Sequence, residues 1–260
     1  MLSVRYAPPS RPRRHDRARP CAPPPLTITP ACRIVYSVVH KRGVRVGQAE
    51  RPGRTGPGRP SDARERLVRA ATSWIFAHSY AAASVDELCA QAGVGKSSFY
   101  HFFPSKHDLA LAALDHYWAW YQRRHLAPTF AEDVPPEERV GRLFELAYAS
   151  QRAVRDAAGH LSGCMVGNMA LEMGAQDEAI RAKVDGILAE WTGYFERALR
   201  EAVDTEASPW VDVPLAARAL LAYLEGVMLL AKAHNDPELI KRLSIGVRPL
   251  SLLGSDTSPP

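Results

Sequence analysis

From residue 61 onward, apolar residues return at steps of three and four almost without a break, and nowhere does the chain alternate with the period of two of a half-buried strand. That pattern predicts an all-α fold. A first helix runs from about Asp62 to His78 and turns Leu67, Ala70, Ala71, Trp74 and Ile75 to one side. Another begins at Lys106, after Pro104-Ser105, and reaches about His125, ending before Pro128. After a loop at Ala131–Pro136, helices follow at about 137–157, 163–173, 177–204, 212–233 and 236–247. The clearest is 177–204, where Ile180, Val184, Ile187, Trp191, Tyr194, Phe195, Ala198 and Leu199 keep one apolar stripe.

Between the first helix and Lys106 the pattern changes. The stretch SVDELCAQAGVGKSSFYHFFPSKHDL, residues 84–109, reads as two short helices around a glycine-containing turn, followed by the start of a third. Ser84 stands at an N-cap position with Glu87 three residues on, the spacing of a capping box. Val85, Leu88 and Cys89 form the apolar face, and Gly93 can take the left-handed conformation that ends a helix. Lys96, Ser97 and Ser98 then open a second helix with polar side chains, while Phe99, Phe102 and Phe103 mark its inward side. This is the pattern of a helix-turn-helix, whose second helix enters the DNA major groove N-terminus first.

Here the sequence resembles the TetR/AcrR family of transcriptional regulators. The resemblance rests on Gly93-Val94, Phe99-Tyr100, Phe103, Lys106 and Leu109, with the amphipathic helix SDARERLVRAATSWIFAHS before them. It covers about residues 59–125, and beyond that follows only the family's plan. Two positions depart from the common pattern: Ser79, where a glycine is usual, and Ala83-Ser84, where Thr-Thr is usual. Both exchanges are chemically mild.

The resemblance implies an N-terminal three-helix DNA-binding domain followed by a larger helical domain for ligand binding and dimerisation. The expected divisions are a disordered Arg/Pro-rich tail at 1–58, the DNA-binding domain at 59–107 with its recognition motif at 84–103, the helical domain at 108–248 and a disordered tail at 249–260. On the recognition helix, Lys96 can donate to guanine O6 and N7, with Ser97 and Ser98 as donors or acceptors beside it. By resemblance, Tyr100 and His101 touch the phosphate backbone and Lys106 binds a phosphate. Ser84 does the same through its hydroxyl, and Arg59 reaches into the minor groove. Phe99, Phe102 and Phe103 are expected in the core.

In the family plan the helix from Lys106 joins the DNA head to the ligand pocket, so Trp118 and Tyr121 are candidates both for packing and for lining a cavity. Tyr148, Asn168, Trp191 and Phe195 are pocket candidates on the same logic. Asn168 stands out as polar in the apolar stretch Met165–Met173, and a buried amide needs partners. Cys164 is the one residue placed to serve a redox or electrophile switch, although buried thiols are usually inert. The helix at 212–233 is apolar nearly all round, with Arg218, Glu225 and Lys232 as its charges, and must be covered on more than one side. The resemblance implies a two-fold interface from the last two helices, giving a homodimer that reads a palindromic operator.

Charge alters the argument for DNA. The formal net charge is +5, but residues 1–60 hold thirteen Lys/Arg against two Asp/Glu, net +11, which leaves −6 for residues 61–260. DNA affinity in the folded part therefore needs locally placed cations rather than a net field. For the tail itself, disorder, a basic DNA-binding arm, and translation starting nearer residue 46 all fit.

Cys21, Cys32, Cys89 and Cys164 show neither CxxC nor metal spacing, and the histidines show no HExxH. No phosphate loop, nucleophile elbow or carboxylate pair appears, so an enzyme, a metal site and a cofactor are not expected. Ala219–Ala231, the longest apolar run, is broken by Glu225 and falls short of the ~18 residues of a membrane helix. A cytoplasmic location follows as the expectation. The function expected is ligand-responsive control of transcription, most simply repression relieved by a small apolar or aromatic effector. The alternative is an effector-independent DNA-binding protein that uses the basic tail.

Overall fold

The computed structural model describes residues 60–206 and 211–254. The expectations for residues 1–58, Arg59 and 255–260 lie outside the described residues. What is described is all-α, with an isolated bridge between Val211 and Gly254.

The N-terminal head is built from α1 (Pro60–Ala77), α2 (Val85–Ala92), α3 (Lys96–Phe102) and the first turns of α4 (Lys106–Tyr121). Its helix ends are fixed by short polar residues. The Ser84 hydroxyl accepts from the Glu87 amide at 3.2 Å, while the Ser84 amide donates to Glu87 Oε2 at 3.0 Å, which completes the capping box. Gly93, at φ 61°, turns the chain out of α2 in a conformation that L side chains resist. Ser105 caps α4 by accepting from the Asp108 amide. Leu67, Leu88, Phe99 and Leu109 are fully or almost fully buried where these four helices meet.

The C-terminal bundle holds α5 (Pro136–Ala158), α6 (Met165–Met173), α7 (Glu178–Glu206) and α8 (Val213–His234). The stripe read on α7 faces inward, with Ile180, Val184, Ile187, Trp191, Phe195, Ala198 and Leu199 buried. By length and composition α8 could cross a membrane. Here it packs along α7 and the C-terminal segments, with eight residues from Ala216 to Ala231 buried. Asn235 ends α8 at φ 51° and ties two elements together, its Oδ1 accepting from the Leu161 amide and its Nδ2 donating to the Gly159 carbonyl.

Three expectations are corrected. The helix from Lys106 does not stop before Pro128. It widens into a π-helical stretch at Gln122–Leu126 and carries on through Ala127–Thr129. Proline has no amide to return to residue 124, and the wider turn accommodates that missing bond. The single helix expected at 236–247 is three pieces: α9 (Glu238–Leu243), a 3₁₀ turn (Ser244–Gly246) and α10 (Val247–Ser251). There the Tyr223 hydroxyl donates to the Leu243 carbonyl at 2.6 Å, taking up an acceptor that a continuous helix would use. Finally, the chain stays ordered from residue 249 to 254: α10 runs to Ser251, and the Leu253 carbonyl accepts from the Asp212 amide.

Candidate nucleic-acid interface and ligand cavity

Phe99 and Phe103 anchor α3 in the head, and Phe99 has no exposed surface at all. The helical period then leaves Lys96, Ser97, Ser98, Tyr100 and His101 outside, and all five are exposed. Gly95, the N-cap of α3, supplies no side-chain cap, so the first amides of the helix are not closed off by their own chain. Lys96 Nζ meets Asp86 Oδ1 of α2 at 2.7 Å, and both side chains are mostly in solvent. Asp86 holds the ammonium pKa above its ordinary value. A pair this exposed is weak and gives way readily to a phosphate or a base edge.

Behind the head, the bundle forms a cavity of about 1480 Å³ that opens to solvent. Its walls include Phe76 from α1, Tyr117, Trp120 and Tyr121 from α4, His125 from the π turn, Gln151 from α5, Trp191 from α7 and Glu225 from α8. The rings meet at tilted angles in a chain: Tyr121 lies 4.7 Å from Trp191 and 4.8 Å from His125 between ring centres. Burial, with Arg124 adding to it, lowers the His125 pKa to about 4, so this imidazole is neutral near pH 7. Burial also pushes the Tyr117 and Tyr121 phenols, the Cys164 thiol and the Glu225 carboxyl upward.

Residues 67–113 match the family model for bacterial regulatory proteins of the tetR family, and residues 136–246 match the tetracyclin repressor-like C-terminal domain. The chain is 33% identical over 195 residues to the transcriptional regulator AcuR of Cereibacter sphaeroides, a match spanning 74% of this chain and 87% of that protein. This chain belongs to the TetR family of transcriptional regulators. It is also 25% identical over 176 residues to the HTH-type transcriptional repressor DhaR of a Mycobacterium species, covering 67% of this chain and 85% of that one. Among solved structures, the regulatory protein TetR from Rhodobacter sphaeroides superposes with a TM-score of 0.63 at 28% identity, over 73% of this chain and 97% of that one.

Within this TetR-family regulator, the residues expected at the DNA divide into three groups. Lys96, Ser97, Ser98, Tyr100 and His101 share one exposed edge. Ser84 and Lys106 have their polar atoms engaged inside the subunit. The Ser84 hydroxyl serves the capping box. The half-buried Lys106 ammonium donates to the Tyr80 carbonyl at 3.2 Å and lies 4.2 Å from the centre of the Tyr80 ring, keeping two protons for other acceptors. Arg59 is outside the described residues.

The pocket candidates divide too. Tyr121, Trp191 and Cys164 line the large cavity. Trp118 packs behind it, with Nε1–H donating to Glu190 Oε2 at 2.6 Å. Phe195 is fully buried and stacks on Phe130 instead. Tyr148 faces α9, where its hydroxyl donates to Glu238 Oε1 at 2.6 Å, because it lies off the side of α5 that the cavity uses. Asn168 lines an adjoining groove of about 280 Å³ between α6 and α8, which shares Cys164 and Glu225 with the large cavity, with Nδ2 donating to the Ser162 carbonyl and Oδ1 accepting from Lys232. Cys164 caps α6, its sulfur accepting from the Gly167 amide at 3.5 Å.

Sequence reading missed Asp86, Glu172, His125, Phe76 and Glu225 as site residues. The Glu172 carboxylate, near the end of α6, accepts from the Tyr80 amide at 3.0 Å and the Ala81 amide at 2.7 Å, in the loop that also receives Lys106. His107 Nε2 lies 3.1 Å from Asp177, a second tie between α4 and the bundle. For Glu225 a signal was present: a lone carboxylate interrupting the apolar run of α8.

Proposed function

We propose that this regulator is a dimeric repressor that reads operator DNA through the exposed edge of α3 and is released when a small molecule fills the aromatic cavity. The carrying observation is that the cavity and the head share walls. Phe76 belongs to α1, against which the recognition helix packs, and Tyr117, Trp120 and Tyr121 belong to α4, which packs along α1. A ligand that reshapes the cavity therefore acts on α3 through α1, directly at Phe76 and through α4 packed along it. Glu172 adds a second connection, since α6 begins at the cavity with Cys164 and ends on the Tyr80–Ala81 loop. The switch can be no stronger than the ligand's differential affinity for the two arrangements of the head.

Dimerisation is supported by apolar side chains left in solvent by the single chain. Leu215, Leu229 and Leu230 of α8 and Ile245 in the C-terminal turn are all exposed, and a two-fold contact would cover them. The relatives named as regulators and as a repressor point the same way. The net charge of +11 in residues 1–60 favours a second reading, in which the tail binds DNA without regard to sequence and no effector intervenes.

Gel shifts with the purified full chain, on DNA flanking its own gene and on random duplex, separate these readings. Lys106→Ala is expected to weaken binding to both duplexes alike, whereas Lys96→Ala relaxes specificity at one base-pair position. Equal loss on both duplexes for both variants would sink this division of roles. Sequence-independent, salt-steep binding that disappears with residues 1–58 would favour the tail.

A further inference from the structure

Among the carboxylates that line the large cavity, Glu138 and Glu145 are exposed and Glu225 is partly buried. The Oε1 of Glu225 is buried with no hydrogen-bond partner, and no cation of the described residues pairs with it. The carboxylate lies against the first turn of α6, so closely that a Cβ on Gly167 would collide with Oε2. The α6 amide that could have capped it is turned to the Cys164 sulfur instead. The Cys164 thiol donates to the carboxylate, which leaves Oε1 as the unfilled acceptor. An acceptor left unfilled in a buried carboxyl is costly, and a cation brought in by a ligand would relieve that cost.

The surroundings determine what could fill it. Tyr117, Tyr121, Trp191 and Phe76 present ring surfaces to the same space, and the negative face of an aromatic ring attracts a cation. The other polar groups inside the cavity offer no competing charge. His125 is neutral near pH 7, and Gln151 is occupied by the amide and carbonyl of Gly163, both at 3.1 Å. The rim charges cancel: Arg124 and Arg142 against Glu138 and Glu145, with Arg142 held by Glu138 at 2.7 Å. What remains inside is one negative group in an aromatic enclosure, with room for a hydrophobic body of drug-like size.

We infer that the ligand of this cavity is a hydrophobic organic cation, an amine or quaternary ammonium, whose charge sits against Glu225 and whose body lies among Tyr117, Tyr121 and Trp191. The inference rests on the effector reading given above and narrows it to one sign of charge. The Glu225 carboxylate supplies the ion pair and the rings supply attraction with little desolvation cost to a weakly hydrated ammonium. An anion meets the carboxylate as a like charge, and an uncharged molecule leaves its acceptor unfilled.

The test uses the purified full chain without DNA, so that its failure is separate from failure of the DNA-binding reading, which gel shifts without ligand decide. Calorimetry and quenching of tryptophan fluorescence compare benzyltrimethylammonium, its uncharged carbon isostere neopentylbenzene, and benzoate. The cation is expected to bind about tenfold or more tighter than the isostere, with benzoate weakest. Glu225→Gln, close in shape, should remove the preference for the cation and leave neopentylbenzene nearly unchanged, while Glu145→Gln at the rim changes neither. Equal binding of cation and isostere, a preference that survives Glu225→Gln, preference for benzoate, or no binding by any of the three overturns the inference. Should Glu225→Gln fail to fold, the comparison of the three probes on the wild-type chain decides by itself.

Discussion

The exposed edge of α3 and the interior of the cavity place polar groups in opposite settings. On α3, Lys96, Ser97, Ser98, Tyr100 and His101 stand in water on a helix whose other side is Phe99 and Phe103. Their polar atoms are solvated, and Lys96 meets only Asp86, a partner it can leave at little cost. In the cavity the order is reversed: buried aromatic rings form much of the wall, and Glu225 and Cys164 are polar groups set among them. A solvated edge suits a partner that brings its own charge and water, as DNA does. An aromatic wall with an unfilled acceptor suits a small molecule that sheds water on entry. The two regions are joined through α1, which backs α3 and supplies Phe76 to the cavity, so the difference in polarity is also what would let each answer to a different ligand while moving as one body.

The comparison can be broken most severely from the apolar side of α3. Phe99→Ala is expected to cost about 3–5 kcal/mol and to abolish DNA binding, whereas Ser98→Ala next to it shifts stability by under about 0.5 kcal/mol. Denaturant unfolding of both variants, followed by gel shifts, checks this. If Ser98→Ala destabilises as much as Phe99→Ala, the division of α3 into a backing and a working edge is wrong.

The cavity side is sharpened by pH. His125 has its pKa lowered from 6.5 to about 4 in the fold, so the unfolded chain binds this proton more readily. The stabilisation is fully present above pH 6.5 and is lost as pH falls toward about 4. Its ceiling is about 3 kcal/mol. His125→Gln should flatten the fall in stability between pH 7 and 4.5 relative to the unsubstituted chain. Parallel curves for the two proteins would contradict the neutral, buried imidazole.

The smallest effect belongs to the solvated pair. Asp86→Asn removes a negative charge beside Lys96 and is expected to tighten DNA binding about two- to threefold, more at low salt than at high. Titrations at two ionic strengths would show it. A loss of affinity would instead mean that Asp86 positions Lys96 for the DNA.

Most of the head was legible in the sequence because each of its determinants is local. The capping box joins Ser84 to Glu87, Gly93 ends α2, and Phe99 and Phe103 lie one turn apart. The long stripe of α7 was legible for the same reason. The cavity was legible only in part. Tyr121, Trp191 and Cys164 line it, but Trp118, Phe195 and Tyr148 turn elsewhere, since an aromatic on an apolar face packs equally well against a neighbour or around a space. The π turn at Gln122–Leu126 and the broken C-terminal helix depend on where Pro128 and Tyr223 meet the rest of the fold, and helical periodicity carries no trace of either.

By itself the sequence determined the helices, their caps, the two-helix motif with its polar edge, and the family to which these point, because those properties depend on residues within a turn or two of one another. The tertiary structure alone decided that Lys96 is shared with Asp86, that Lys106 rests on Tyr80, and that Glu172 grips the loop beside it. It also decided that Glu225, the lone carboxylate on an apolar helix, lines one cavity with aromatic rings drawn from α1, α4 and α7 and keeps Oε1 without a hydrogen-bond partner. Each is a meeting of residues distant in the chain, fixed by how helices pack and by which polar atoms are left without a partner when they do.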